Sequence, residues 1–352
     1  MRRFVCGVLL VLASICVSCG GGRTADVAVC DSLPSEPRRI ELLFTGDVMQ
    51  HLPQIKAART ANGYDYAPSF EAVRPLLQQA DVAVVNLETT LSMRPPYTGY
   101  PLFRAPAALV RELAQCGVDV ACLANNHTLD YGARGVRQTK AVLDSCGMRH
   151  TGVFADSTDY RANRIVRFEK NGIRVALLNY TYGTNGMPLP KGMLMHRIDT
   201  VRMAVDLQEA AVESDCVVAV MHWGIEYERK PNREQRRLTE FLHRNGASII
   251  VGHHPHTIQP YEADSTRVCF YSLGNFVSNQ RKRYCDGGLM ARVYIIKESN
   301  GDVHYAAEAI PVWVDKARGY RVEPLELADS TAYEGACERF RRDTYEVLWG
   351  CS

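Results

Sequence analysis

The residues of this chain that could do chemistry fall in a few short segments. Asp47 lies in Thr45-Gly46-Asp47-Val48-Met49, Glu88 closes Asn86-Leu87-Glu88, and Asn125, Asn126, His127 and Asp130 share the run from Ala124 to Gly132. His222 follows with Glu226 and Tyr227, then His253, His254 and His256 around Pro255, and Asn275 after Gly274. Five of the ten histidines thus sit in three segments. One Asp or His at a turn is ordinary, because Asp caps helices and turns and a His usually finds a hydrogen bond. A set mixing carboxylate, amide and imidazole donors is different: it is the ligand chemistry of Mn, Zn or Fe rather than of Ca or Mg. A carboxylate such as Glu88 can bridge two ions, and two ions can clamp the attacking and leaving oxygens of a phosphoryl displacement. His-x-His about a proline aims two imidazoles at one region from a stiff backbone.

Each segment follows an apolar run. Strands are expected at Ile40–Phe44, Val82–Val85, Val118–Leu123, Val175–Leu178, Val217–Met221, Ser248–Val251 and Val268–Tyr271. Most are continuous apolar runs, as strands buried on both faces read. Helical periodicity lies between them, at Phe70–Gln79, Ala107–Cys116, Ala133–Cys146, Val201–Ser214 and Asn232–Asn245, and several of these end at a glycine suited to a left-handed cap. Alternation of this kind defines an α/β domain, whose ligand crevice lies outside the carboxyl ends of its strands. Later, Val293–Lys297 and His304–Val312 read as an antiparallel hairpin about Asn300-Gly301, and Asp329 to Trp349 as a closing helix.

Composition narrows the partners. With 46% hydrophobic and 23% charged residues the chain is that of a folded protein. A formal net charge of +2, without a basic stripe interleaved with aromatics, excludes a nucleic-acid binder. Arg2 and Arg3 precede an apolar run from Phe4 to Val17 that is too short to span a bilayer, so residues 1–18 read as an export signal. Cys19, among small residues, is the expected lipidation site of an exported, membrane-anchored lipoprotein; a plain secretory signal is the alternative. Residues 19–38 read as a flexible linker, 39–292 as the metal-binding domain and 293–352 as strands and a helix that complete or flank it. Of twelve cysteines only Cys16 and Cys19 have CxxC spacing, inside the export signal, so a zinc knuckle is not expected and most read as buried small hydrophobes. Whether any disulfide forms stays open at this point.

Seven segments taken in order carry a resemblance: GDVM at Gly46–Met49, NLE at Asn86–Glu88, FRAP at Phe103–Pro106, LANNHTLDYG at Leu123–Gly132, HWGIEY at His222–Tyr227, GHHPHTIQP at Gly252–Pro260 and YSLGNF at Tyr271–Phe276. In them the chain resembles the CapA family, named for a protein of poly-γ-glutamate capsule synthesis, whose fold is similar to calcineurin-like metallophosphoesterases. The resemblance implies a four-layer αββα sandwich of mixed sheets. It implies that Asp47, Glu88 and His256 hold a first metal ion, that Glu88, Asn126, His222 and His254 hold a second, and that His127 protonates the leaving group or holds the phosphate. Met49 stands where those enzymes place a histidine. One firmly held ion and one loose or absent ion are therefore expected, unless His51 or His253 fills the gap. Arg104, Asn125, Glu226 and Tyr227 are the candidate substrate-side residues, Arg104 being equally readable as a surface arginine, and Asp130 either orients His127 or caps the next helix. Three functions stay in view: a metal-dependent hydrolase acting on a phosphorylated small substrate or related anionic bond, a component of anionic-polymer synthesis or export with capsule-synthesis partners, and a non-catalytic extracytoplasmic binding protein.

Overall fold

The apolar runs fold into strands whose two faces serve different cores. In the computed structural model, which describes residues 36–280, 282–328 and 332–350, β1 (Arg38–Val48), β2 (Val82–Leu87), β3 (Val118–Cys122) and β4 (Arg149–Thr151) run parallel. In a second sheet β5 (Val166–Lys170) pairs antiparallel with β6 (Ile173–Thr181), and β7 (Cys216–His222) and β8 (Ile249–His253) continue in parallel. There β9 (Tyr261–Ala263) closes the edge against β10 (Val268–Phe270). The chain then returns to the first sheet through β11 (Asn275–Val277) beside β1, and β12 (Gly287–Lys297), β13 (Val303–Asp315) and β14 (Arg321–Pro324) extend that sheet antiparallel. The expected export signal, the lipidation site Cys19 and most of the expected linker lie outside the described residues.

Side chains on successive strand positions face opposite ways, and the clusters show where each goes. Leu42, Phe44, Val82 and Val84 meet Val175, Leu177, Val218 and Val220 between the sheets. Their neighbours Leu43, Ala83 and Val85 face helices of the first outer layer, against Phe70, Leu77, Leu109, Leu113 and Val136. Ala176, Leu178, Val217 and Ala219 face the other way, against Met203, Leu207, Leu238 and Leu242 of the second outer layer. Three cores between four layers give the αββα sandwich. Each fully buried Val, Leu, Ile or Phe contributes about 1.5–3 kcal/mol, which makes continuous apolar strands the natural filling of a two-sided position.

The helices start and stop for local reasons. In chain order α1 (Leu52–Ala57) was not expected, α2 (Ala67–Phe70) and α3 (Arg74–Gln79) stand where one helix was expected over Phe70–Gln79, and α4 (Ala108–Gln115) and α5 (Gly132–Ser145) follow the expected pattern. Pro75 lacks an N–H and its ring would collide with the carbonyl of Glu71, so the helix stops and restarts with the proline in its first turn. Beyond α6 (Ser157–Asn163) and α7 (Thr200–Val212), α8 (Arg233–Arg244) begins in a reciprocal cap. Asn232 accepts from the Gln235 N–H while the Gln235 side chain accepts from the Asn232 N–H. A last helix, α9 (Ala332–Trp349), brings Phe340 against Trp313.

The late hairpin is longer than its apolar pattern suggests, because Gly287-Gly288 opens it without a periodic signal. The expected boundary between 292 and 293 falls inside β12, which pairs with β1 from Arg38 to Thr45. That segment is therefore part of the first sheet, and Glu36–Ser352 is one compact unit. The cysteines at 116, 122, 146, 216, 269, 285 and 337 are free thiols, all buried except the half-buried Cys146. Among the described residues no helix is long and apolar enough to cross a membrane.

Gly252 shows how tightly the second sheet's carboxyl edge is packed. A Cβ there would stand 1.9 Å from the Tyr271 carbonyl oxygen and 2.5 Å from Trp223 Nε1. Gly252→Ala is expected to destabilise the fold by at least about 1–3 kcal/mol, measured as a lowered denaturation midpoint of the metal-free protein.

Candidate metal centre

The carboxyl ends of the parallel strands of both sheets meet at one place. β1 delivers Asp47, β2 Asn86 and Glu88, and the turn after β3 delivers Asn126 and His127. From the second sheet β7 ends on His222 and β8 on His253, followed by His254 and His256. Asp47, Glu88, Asn126, His222, His254 and His256 are all buried, none more than 4% exposed.

Asp47 organises this cluster. Its Oδ1 accepts from Asn86 Nδ2 at 2.8 Å and His253 Nδ1 at 3.0 Å, and its Oδ2 accepts from His256 Nδ1 at 2.9 Å and the His254 N–H at 3.4 Å. Burial pushes its carboxyl up, but the hydrogen bonds from His253 and His256 outweigh burial and hold it well below the usual carboxylate range. An ionised carboxylate only accepts, so the His256 proton must lie on Nδ1 and its Nε2 lone pair is free to bind a cation. That nitrogen stands 3.8 Å from Glu88 Oε1.

Glu88 is in the opposite condition. Burial, and after it the charges of Asp47, Glu226 and Asp130, push its carboxyl well above the usual range. Its Oε1 has no hydrogen-bond partner and lies 3.7 Å from His222 Nε2. Burial, followed by repulsion from His254, holds His222 well below the usual imidazole range, and burial followed by His256 brings His254 down to about 3. Close approach of Glu88 and His222 is therefore not a conventional ion pair. Neutral imidazoles and a buried carboxylate oxygen without a donor are what a divalent cation requires. Three trios bring ligand atoms within 4.8 Å of one another: Glu88, His222 and His254; Asp47, Glu88 and His256; and Glu226, His254 and His256. The residues present fit a metal ion.

Asn126 belongs to the cluster through its Oδ1, 2.9 Å from His222 Nε2. His127 donates from Nδ1 to Asp130 Oδ2 at 2.8 Å and rests edge-on against Phe103. Asp130 does not cap α5, whose N-cap is Tyr131 without a side-chain bond. It orients His127 and accepts the Phe103 N–H at 2.6 Å.

Two expected substrate-side residues are placed elsewhere. Asn125 is fully buried, its amide spent on Leu87 O, Asn86 Oδ1 and the His127 N–H, so it shapes the turn and offers nothing to a substrate. Arg104 donates to Pro96 O and Ser92 Oγ and lies over the Tyr131 ring, holding its own loop instead of joining the cluster. Glu226 and Tyr227 do reach the centre, the Tyr227 ring lying 6.3 Å from that of His256. Neither residue considered for the place of Met49 supplies a metal ligand in these trios. His253 is engaged by Asp47, and His51 bonds Gln54 at the start of α1, its imidazole lowered to about 4, chiefly by burial. Met49 itself is buried.

Three residues at the site escaped the sequence reading. Asn86 is the donor that ties Asp47 to the second strand, with Glu88 Oε2 at 3.5 Å. The Tyr182 ring lies tilted 4.5 Å from that of His254 and parallel to that of His222 at 6.1 Å, and Asn185 accepts from Asn126 at 3.3 Å. Both follow β6, a parallel apolar strand whose carboxyl end was the available signal, but no acid or histidine marked it.

Two mixed sheets with helices on both outer faces give a metallophosphoesterase-like fold, with a buried His/Asp/Glu cluster at the strands' carboxyl ends. A proposed 5′-nucleotidase of Staphylococcus aureus, solved with alpha-ketoglutarate, shares this fold: TM-score 0.52, 14% identity, covering 86% of this chain and 58% of that one. Residues 41–280 match the family described as bacterial capsule synthesis protein PGA_cap, and the chain belongs to that family. It is 29% identical to the capsule biosynthesis protein CapA of Bacillus anthracis, over 79% of this chain and 69% of that protein. It is also 29% identical to the PGA biosynthesis protein CapA of Bacillus subtilis, over 78% and 74%.

Glu88→Gln separates binding from folding. Gln resembles the protonated carboxyl that burial favours, so the metal-free variant should be at least as stable as the parent. The parent should gain about 2.7 kcal/mol at metal a hundredfold above Kd and the variant almost none, read by denaturation with and without Mn or Zn.

Proposed function

We propose that this chain is a metal-dependent hydrolase of the cell envelope, cleaving a phosphate ester or related anionic bond in the synthesis or export of a polyanionic capsule polymer such as poly-γ-glutamate. The observation that carries this reading is the partnerless Oε1 of Glu88 between His222 and His256. The capsule and PGA biosynthesis roles in the names of the two Bacillus relatives support the setting. In the same reading residues 1–18 export the chain and a lipid on Cys19 anchors it at the extracytoplasmic face. Mn, Zn or Fe bound at this centre would stabilise the negative charge developing on a phosphoryl oxygen.

The chain's own residues have distinct tasks. Glu88, His222 and His254 form the buried donor trio, with Asn126 beside His222. Asp47 keeps His256 in the tautomer whose lone pair points inward. His127, near enough for its charge to act on His254, is held at Nδ1 by Asp130, so Nε2 is the atom that hands a proton to the leaving oxygen. The Tyr182 and Tyr227 rings, 4.5 Å from that of His254 and 6.3 Å from that of His256, stand where a substrate at the centre would contact them.

The test is hydrolysis of generic phosphomonoesters and phosphodiesters by the purified chain with added Mn or Zn. Turnover should require metal and disappear in His254→Ala. His127→Ala should keep its metal and lose about 10²–10⁴-fold in kcat, and Asp130→Asn about 10–100-fold. An inert parent that still binds polyglutamate would sink the hydrolase and leave a polymer-binding component.

A further inference from the structure

The second donor trio containing His256 is poorly provided on its buried side. Both Asp47 oxygens already accept from Asn86, His253, His256 and the His254 backbone, so few lone pairs remain for a cation there. On the opposite, solvent side stands Glu226, an exposed carboxylate with its oxygen within 4.8 Å of ligand nitrogens of both His254 and His256. We propose that Glu226 is a metal ligand, which closes from the solvent side the ion position that Asp47, Glu88 and His256 provide incompletely.

This step rests on the metal-centre reading above, and three observations argue for it. The loop that carries Glu226 is sewn to the His-Pro-His loop. Trp223 N–H donates to His253 O at 3.1 Å, Tyr227 N–H to Pro255 O at 2.7 Å and Thr257 Oγ1 to Glu228 O at 2.9 Å. The middle bond falls on the residue between the two histidines, so Glu226 is placed against both. Next, among the described residues no lysine, arginine or histidine forms an ion pair with Glu226; the nearby ammonium of Lys282 lies over the Tyr227 ring, 3.5 Å from its centroid. Last, the buried groups facing Glu226 are themselves short of partners: His254 Nδ1 and Glu88 Oε1 have none. Three carboxylates converge here, since the charges of both Asp47 and Glu226 act on Glu88. A cation satisfies the orphaned atoms and removes that repulsion at once.

The position is unequal to its neighbour by construction. Glu88, His222 and His254 are buried, whereas Glu226 is an exposed side chain that must give up rotamer freedom to bind. The expected behaviour is one tight and one weaker binding event.

Calorimetric titration of the EDTA-stripped full chain with Mn, and with Zn, tests this, checked by metal content after gel filtration. Glu226→Gln should keep the tight event and weaken the other at least tenfold, with Glu226→Asp falling between. Because Glu226 is exposed and its charge acts unfavourably on Glu88, thermal unfolding of the metal-free Glu226→Gln variant should come no lower than the parent's and so exclude misfolding. A Glu226→Gln titration that superimposes on the parent overturns the proposal alone. A parent that binds no metal, or a His254→Ala variant that titrates like it, overturns the underlying metal centre instead.

Discussion

Everything at this centre hangs on the buried carboxylate of Asp47. It is where the two sheets are joined at their carboxyl edges: the charge sits at the end of β1 in the first sheet, and its hydrogen bonds come from Asn86 on β2 and from His253 and His256 in the second. The backbone is held as closely. Gly46 admits the Gly274 carbonyl to 2.4 Å from where a Cβ would be, which lets the Asp47 N–H bond Gly274 O at 2.8 Å and brings β11 alongside β1. A fully buried charge stripped of one partner costs about 3–5 kcal/mol, so this set of contacts is nearly all-or-none. Sheet packing and ligand orientation are therefore one constraint, because the bonds that join the sheets also set the tautomer of His256.

A centre of this kind stands against the stability of the fold. Glu88 is driven toward its neutral form by burial and by its neighbours, and His222 and His254 are kept neutral by the same dehydration. Backbone strain adds to this. His254 and His256 have φ of 96° and 57°, and Tyr227 has 71°, left-handed values that cost about 1–3 kcal/mol each for residues with a side chain. They persist because the loop hydrogen bonds around Pro255 and the His254 N–H on Asp47 over-determine the backbone. Polar, strained and carboxylate-rich, the strand ends depart from every rule that the strand interiors obey.

That contrast explains how much was legible in the sequence. Strand interiors such as Val82–Val85 and Val217–Met221 could be read because burial on both faces leaves a continuous apolar run, and the ligands stood out because Asp, Asn and His interrupt it. The sandwich followed from the alternation together with the family resemblance. What could not be read were outcomes of tertiary contact. Asn125 and Asn126 are adjacent and identical in type, yet one braces a turn and the other faces His222. Arg104 looks like an anion binder until its loop folds back to occupy it. Tyr182 and Asn185 carry no chemical signature of their own and matter only through the end of β6. The broken helix at Pro75 was readable locally, but helical periodicity across Phe70–Gln79 masked it.

The overlapping trios have a consequence for how ions load. Glu88, His254 and His256 each belong to two of them, so the positions cannot fill independently. An ion entering the buried trio would need Glu88 ionised, which burial and the neighbouring charges oppose, so its binding would depend on pH. Any ion held by Asp47, Glu88 and His256 would share Glu88 with an ion in the buried trio and would be repelled by its charge. An added negative charge on the solvent side offsets this repulsion, and Glu226 is the carboxylate in reach of both histidines. An exposed ligand can also leave, so the outer position can open to an anionic substrate while the buried trio stays intact. In this arrangement desolvation would govern binding at the inner position and charge balance at the outer one, so overlapping ligands would give the two positions different affinities.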